Sequence, residues 1–282
     1  MALIQSNKDS HYLTFDDKKH KYILDGKRVP GVTTFTHGGY PTSEALVSWM
    51  KGQTGNAMFE ALTQPDQSSD AGFYPKESLW PISTTQRKEI IKEAKSADKK
   101  SSEAAANIGT LTHDFAYFTE TKQYDKLLET QKAIASHIDK DKILACTLKF
   151  TEWSKTHADE MVASETIVAS LQHSFGGKFD RLAKRDGKLI LSDFKTSGSI
   201  YVDQYIQLAA YRIAIREWMG LEVEGLEVLR FGKDDGDFET RMIDYIDEMK
   251  DFEDQALRCR YTYVFKNAWE SDHRFKWGGS KK

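Results

Sequence analysis

Proline vanishes from this chain early: all five, Pro30, Pro41, Pro65, Pro75 and Pro81, fall within the first 81 of 282 residues. The proline-free remainder can run in long helices and strands, whereas the front is expected to be rich in loops. Cysteine is scarcer still. Cys146 and Cys259 cannot build a disulfide framework or a four-cysteine iron–sulfur site, so both read as buried thiols of a reducing compartment. No run of eighteen apolar residues occurs, so no membrane span is expected. The first eight residues lack the basic-then-apolar layout of a secretory leader, and a cytoplasmic setting is the expectation. A net charge of −3 supplies no excess of either sign. A surface that bound polyanions would therefore have to concentrate its positive charge locally.

What is present is ordinary for a folded chain: 39% hydrophobic and 29% charged residues, with length enough for one large domain or two small ones. Residues 11–15 and 21–24 alternate as strands do, and 29–35 continues the pattern. Residues 44–62 read as a helix and 64–83 as an extended connection. Residues 84–106 are helical, Gly109 is expected to interrupt the run, and 110–119 reads as a further helix. Helices follow over 123–137 and 141–157. The period then changes to strands over 161–171, 175–183 and 189–194, a helix over 203–219, strands over 226–231 and 238–243, and a closing helix over 244–268. That order predicts a layered α/β domain without internal repeats.

One hairpin stands out. Asp186-Gly187 lies between two apolar-rich runs, the strongest short-range signal for a two-residue turn. With those two residues as the loop, Arg185 pairs with Lys188, and counting outward sets Asp180 opposite Asp193. Facing residues on paired strands hold their Cβ atoms about 4.5–5.5 Å apart, so the two carboxylates repel unless a cation lies between them. Lys195 is two residues past Asp193 and shares its face. The acid-x-lysine spacing alone is weak, since Asp16/Lys18, Glu93/Lys95 and Glu248/Lys250 repeat it. Asp193 differs in ending the apolar run Leu189-Ile190-Leu191, where an unpaired charge is costly. Two acids and a lysine on one face describe a site that binds a metal and attacks a phosphate.

With that hairpin in place, five motifs occur in order. Gly109-Thr110-Leu111-Thr112-His113 is followed by Glu165 on a strand, then by Gly176-Gly177-Lys178-Phe179-Asp180. Asp193-Phe194-Lys195-Thr196-Ser197 comes next, and Gln207-Leu208-Ala209-Ala210-Tyr211 last. Over roughly 108–215 this order resembles the PD-(D/E)XK nuclease superfamily and, within it, the RecB-like exonuclease branch. Val29-Pro30-Gly31-Val32-Thr33-Thr34 is similar to a segment ahead of the core in phage and mitochondrial genome maintenance exonucleases.

The resemblance implies a restriction-endonuclease-like α/β core, a central mixed sheet flanked by helices. It would span 108–270, with an N-terminal strand and helix region (1–107) that packs on it or caps it and a basic aromatic tail (271–282). It implies Mg²⁺ or Mn²⁺ held by His113, Asp180 and Asp193, with the Phe194 carbonyl as an extra ligand. Lys195 would orient or deprotonate the attacking water and offset phosphate charge. Glu165 would bind a second metal or a water, though an ordinary edge-strand acid fits it equally. Gln207 and Tyr211, with Gln204 on the same helix face, would orient the active-site strand. Gln204, Thr196 and Ser197 would meet the DNA backbone.

The implied activity is a metal-dependent exonuclease acting on DNA ends or single strands in recombination, replication or repair. A bacterial or phage-infected cell is the expected setting, phage coding is one candidate origin, and a replication or recombination protein is a candidate partner. An endonuclease of the same superfamily, or a DNA-binding module that does not cleave, is the alternative. In the tail, Arg274, Phe275, Lys276 and Trp277 suit stacking on single strands, and a solvated terminus fits them as well.

Overall fold

The computed structural model describes residues 2–6, 10–40, 84–157, 159–234 and 236–271. The chain divides into two compact units, one of residues 1–41 and 108–282 and one of residues 42–107. In the second unit the described part, from residue 84 on, is helical. The helix expected over 44–62, the connection over 64–83 and the tail beyond residue 271 lie outside the described residues.

The first unit opens with a four-stranded antiparallel meander: β1 (Ala2–Ser6), β2 (Tyr12–Asp16), β3 (Lys21–Leu24) and β4 (Lys27–Val29). Leu13 and Phe15 of β2 are buried, as are Tyr22 and Leu24 of β3, at the period of two that strands impose. The strand character expected to continue over 29–35 stops at Val29. Pro30 has no N–H to give a ladder, and α1 (Val32–Gly39) begins two residues later. Val32, Phe35 and Thr36 are its buried residues. That helical spacing outweighs the β-branched run Val32-Thr33-Thr34, which by itself favours a strand.

Gly109 likewise does not break its helix. The segment forms one helix, α2 (Thr84–Glu120). A glycine within a helix costs roughly 1 kcal/mol against alanine, which the helix-favouring residues on both sides absorb. Two shorter helices follow, α3 (Tyr124–Ala135) and α4 (Lys140–Thr156).

The central sheet has the order β5-β6-β7-β8-β9. Its strands are β5 (Glu160–Ser170), β6 (Phe175–Arg185), β7 (Lys188–Lys195), β8 (Gly225–Phe231) and β9 (Phe238–Ile243). Only the β7–β8 pairing is parallel, and a parallel pair needs a crossover. That crossover is α5 (Val202–Met219), and α6 (Ile246–Ser271) closes the chain. The α/β core with a mixed sheet and flanking helices is the fold expected from the sequence.

Alternation along β7 divides the core. Leu189 and Leu191 join the large cluster that holds Ile206, Leu208 and Ile213 of α5. Phe194 joins Phe150 and Trp153 of α4 together with Leu229 and Phe231 of β8. There the Phe150 ring meets Phe194 edge-on at 5.7 Å and Phe231 at 6.0 Å, a preferred aromatic geometry. Helix α5 is buried on nearly every side, as expected of a helix with the sheet beneath it and α1 and α6 against it.

The N-terminal meander belongs to the same core. Leu13, Phe15, Tyr22, Val32 and Phe35 share the large cluster with Phe175 and Phe179 of β6. Gly176 donates its amide to the Pro30 carbonyl at 3.0 Å. A Cβ on Gly176 would lie 2.9 Å from the Tyr22 ring, and one on Gly177 would overlap the Tyr211 ring. The two glycines thus serve different contacts, one admitting the N-terminal sheet and the other admitting α5.

On the α4 side a buried ion network ties the strands together. Arg181, 3% exposed, donates from Nε to Glu120 at 2.7 Å and lies 3.0 Å from Asp159, while its guanidinium sits 5.1 Å from the centre of the Trp153 ring. Arg185 bridges Asp159 at 2.9 Å and Glu227 at 2.7 Å, and Ser192 donates to Glu227 at 2.8 Å. Breaking a buried pair leaves an uncompensated charge. Arg181→Met, which preserves volume but strands Glu120, should lower unfolding free energy by about 3–5 kcal/mol in chemical denaturation. Lys149→Met, which removes the exposed Glu152 pair, should change it by under about 1 kcal/mol.

Candidate active site

The β6–β7 hairpin turns at Asp186 and Gly187, both left-handed at φ 51° and 81°. These are the angles a two-residue type I′ turn requires, and Gly187 adopts them without a Cβ penalty. Arg185 pairs with Lys188, and the paired register runs as far as Arg181 with Ser192. The next step along both strands is Asp180 and Asp193. There the ladder gives way to a side chain: the Phe194 amide donates to Asp180 Oδ2 at 2.8 Å.

Lys195 Nζ lies 2.5 Å from Asp193 Oδ2. It also lies 3.5 Å from the Gln207 side-chain oxygen, and Gln207 donates to the Tyr211 hydroxyl at 3.3 Å. Gln207 and Tyr211 are four residues apart on α5 and so share one face. The loop behind Lys195 is organised by Gln204. Its oxygen accepts the Tyr201 amide at 3.0 Å and its nitrogen donates to Ser197 Oγ at 3.2 Å. Thr196 lies against α2, its Oγ1 3.6 Å from where a Cβ on Gly109 would stand.

His113 lies one helical turn beyond Gly109 on the same face of α2. Its Nδ1 is 3.5 Å from Asp180 Oδ2, and its ring crosses that of Phe194 at 5.9 Å. Glu165 enters from β5. Ser164 pairs with Arg181 and Thr166 with Phe179, which brackets Glu165 opposite Asp180. Its backbone is left-handed at φ 48°, a conformation that costs a non-glycine residue about 1–3 kcal/mol. One donor atom each from His113, Glu165 and Asp180 lies within 4.8 Å of the others.

The electrostatics describe a site built for a cation. Burial, then the charge of Asp180, pushes the Asp193 carboxyl up to about 6 against the pull of Lys195. Burial likewise raises Asp180 and Glu165. Burial and the Lys195 charge lower His113, which favours the neutral imidazole a metal requires. Lys195 is raised: the Asp193 and Asp180 charges outweigh burial, so it stands as an ammonium. The set of one imidazole and several carboxylates suits Mn²⁺ or Mg²⁺.

The structure thus brings His113, Glu165, Asp180, Asp193, Lys195, Gln207 and Tyr211 to one end of the sheet, with Thr196, Ser197 and Gln204 in the adjoining loop. Sequence reasoning missed Lys178, whose ammonium is in direct contact with Glu165 Oε2. The strand period of two from Asp180 was the signal for it. It also missed Tyr22, which lies over Gly176 and feels the Glu165 charge.

A model of the PD-(D/E)XK nuclease superfamily matches residues 86–272. The chain belongs to this superfamily. It is therefore a nuclease with DNA as the implied substrate, and PD-(D/E)XK nucleases use divalent metals. Among solved structures, SSO0001 is similar at 16% identity over 56% of this chain and 74% of that one, with a TM-score of 0.30. An alkaline exonuclease from Laribacter hongkongensis is similar at 13% identity over 43% of this chain and 69% of that one, with a TM-score of 0.26. Likenesses this distant carry no weight beside the family match. No curated protein matches the sequence. Among the described residues no helix of this nuclease is long and apolar enough to cross a membrane.

The raised Asp193 carboxyl gives a signed expectation for the metal-free protein. Its folded state holds the proton more tightly than the unfolded chain does. The contribution of Asp193 to stability is therefore fully present below the ordinary carboxylate range and is lost as pH rises from about 4 through about 6. In EDTA, Asp193→Asn should remove that decline, so that the stability difference between variant and wild type shifts in favour of the variant as pH rises from about 4 to above about 6. Added Mn²⁺ should stabilise the wild type and leave the variant nearly unchanged, as thermal melts would record.

Proposed function

We propose that this nuclease is a Mg²⁺- or Mn²⁺-dependent DNA exonuclease that works from ends in recombination, replication or repair. The observation that carries the reading is the convergence of Asp180, Asp193, Lys195 and His113 at one end of the sheet. The exonuclease assignment draws on the upstream His113 and the Gln207…Tyr211 pair, by which the chain resembles the RecB-like branch.

His113, Asp180 and Asp193 would hold the cation, with the Phe194 carbonyl beside them. When bound, a divalent cation polarises the scissile phosphate and acidifies water in contact with it. Lys195, a charged group held between Asp193 and Gln207, orients the attacking water. It also offsets the negative charge that builds on the phosphate in the transition state. Gln207 is a positioning residue: it accepts from Lys195 and is itself tied to the buried Tyr211 hydroxyl. Thr196 and Ser197 present the loop to the DNA backbone, with Gln204 bracing it from within. The N-terminal sheet, whose Tyr22 lies over Gly176 of β6, would wall the substrate path.

With Mg²⁺ or Mn²⁺ the full chain should shorten end-labelled linear DNA and leave covalently closed circles intact. Asp193→Ala and Lys195→Ala should each slow cleavage by about 10²–10⁴-fold, the range for losing one proton-transfer or charge-stabilising group. Wild-type rates in both variants would remove the site assignment, and cutting of closed circles would make the enzyme an endonuclease.

A further inference from the structure

Lys178 has no part in the reaction as set out above, yet it stands inside the catalytic cluster. It lies two residues before Asp180 on β6, in register with Ile167. Its side chain is 32% exposed, and its ammonium touches Glu165 Oε2. The charges of Asp180 and of Asp17, from the turn between β2 and β3, also act on it. Glu165 is brought to this contact by a left-handed backbone within a strand, a conformation that persists only where the surroundings hold it.

The same Glu165 supplies one of the three donor atoms that could gather around an ion with His113 and Asp180. It therefore has two claimants. An ammonium is a compact point charge with three donors, and on Glu165 Oε2 that of Lys178 supplies the charge that an ion at this carboxylate would bring. Charge points the same way. Glu165, Asp180 and Asp193 bring three negative charges and Lys178 and Lys195 two positive ones. One divalent ion more than balances the remainder, whereas a second would leave the cluster strongly positive before any phosphate enters.

We infer that Lys178 stands in place of a second divalent cation, holding Glu165 so that the site takes one ion, on His113, Asp180 and Asp193. The inference rests on the metal-dependent nuclease reading above. Lys178 is then a specificity-determining residue for metal stoichiometry. It supplies a fixed positive charge where a second ion would come and go with its concentration.

The test counts bound Mn²⁺ on the full chain without DNA, by the loss of the free-ion electron paramagnetic resonance signal and by titration calorimetry. Circular dichroism confirms that each variant is folded. Wild type should bind one Mn²⁺ and Lys178→Gln two. Lys178→Arg, which keeps the charge, should return to one, and so should Lys178→Gln combined with Glu165→Gln, which removes the freed ligand. If Lys178→Gln does not fold, Lys178→Met serves in its place, with two ions again expected. Two ions on the wild type, or one on the folded Lys178→Gln or Lys178→Met protein, would overturn the role of Lys178 and leave the nuclease reading standing. No ion on the wild type would remove both.

Discussion

Two acids held face to face at the buried end of a hairpin are the demand that the surrounding structure answers. Asp193 is 2% exposed, and burial alone would drive either carboxyl to take up a proton. The chain meets that demand from several directions. Lys195 neutralises Asp193 from the same strand, the Phe194 amide caps Asp180 from the facing strand, and His113 arrives from α2. The last share of the compensation is left to a divalent ion. A site left slightly under-neutralised by its own residues is one that a divalent ion can complete.

The strand that carries this site is anchored from both faces. Asp193 and Lys195 share the α5 side, where Gln207, tied to Tyr211, receives Lys195. Phe194 between them points to the α4 side and is locked among aromatic rings. A few residues away the Arg181–Asp159–Arg185–Glu227 network holds β6, β7 and β8 in fixed register on that same side. Charged groups in that network are paired within the protein, whereas at the site the pairing is incomplete. The contrast separates ions that specify the fold from ions that await a ligand.

Much of this was legible in the sequence because it depends on local counting. Asp186-Gly187 sets the turn, the turn sets the register, and the register sets the acids opposite each other. His113, Gln207 and Tyr211 follow from motif order. What escaped was decided by tertiary contact. Val32–Gly39 is helical because Val32, Phe35 and Thr36 can be buried together, which outweighs β-branched propensity. Gly109 stays within its helix, where it marks the face turned towards Thr196. The period of two sets Lys178 on the face of Asp180, but its contact with Glu165 depends on the left-handed backbone of Glu165, which local counting does not give. The separate duties of Gly176 and Gly177 likewise depend on Tyr22 and Tyr211, residues far away in sequence.

The hairpin register also sets what kinds of change the gene can accept. Between Arg181 and Ser192, a side chain can be exchanged and the two acids still meet, because their meeting depends on a count of residues from the turn. Adding or deleting a single residue there shifts the count, and a slip of one residue carries every following side chain to the other face of the sheet. Asp180 would then turn towards Phe150 and Trp153, and the aromatic face would receive a carboxylate. Away from the turn residues Asp186 and Gly187, the register therefore survives a substitution that the packing tolerates, but it does not survive a change in length.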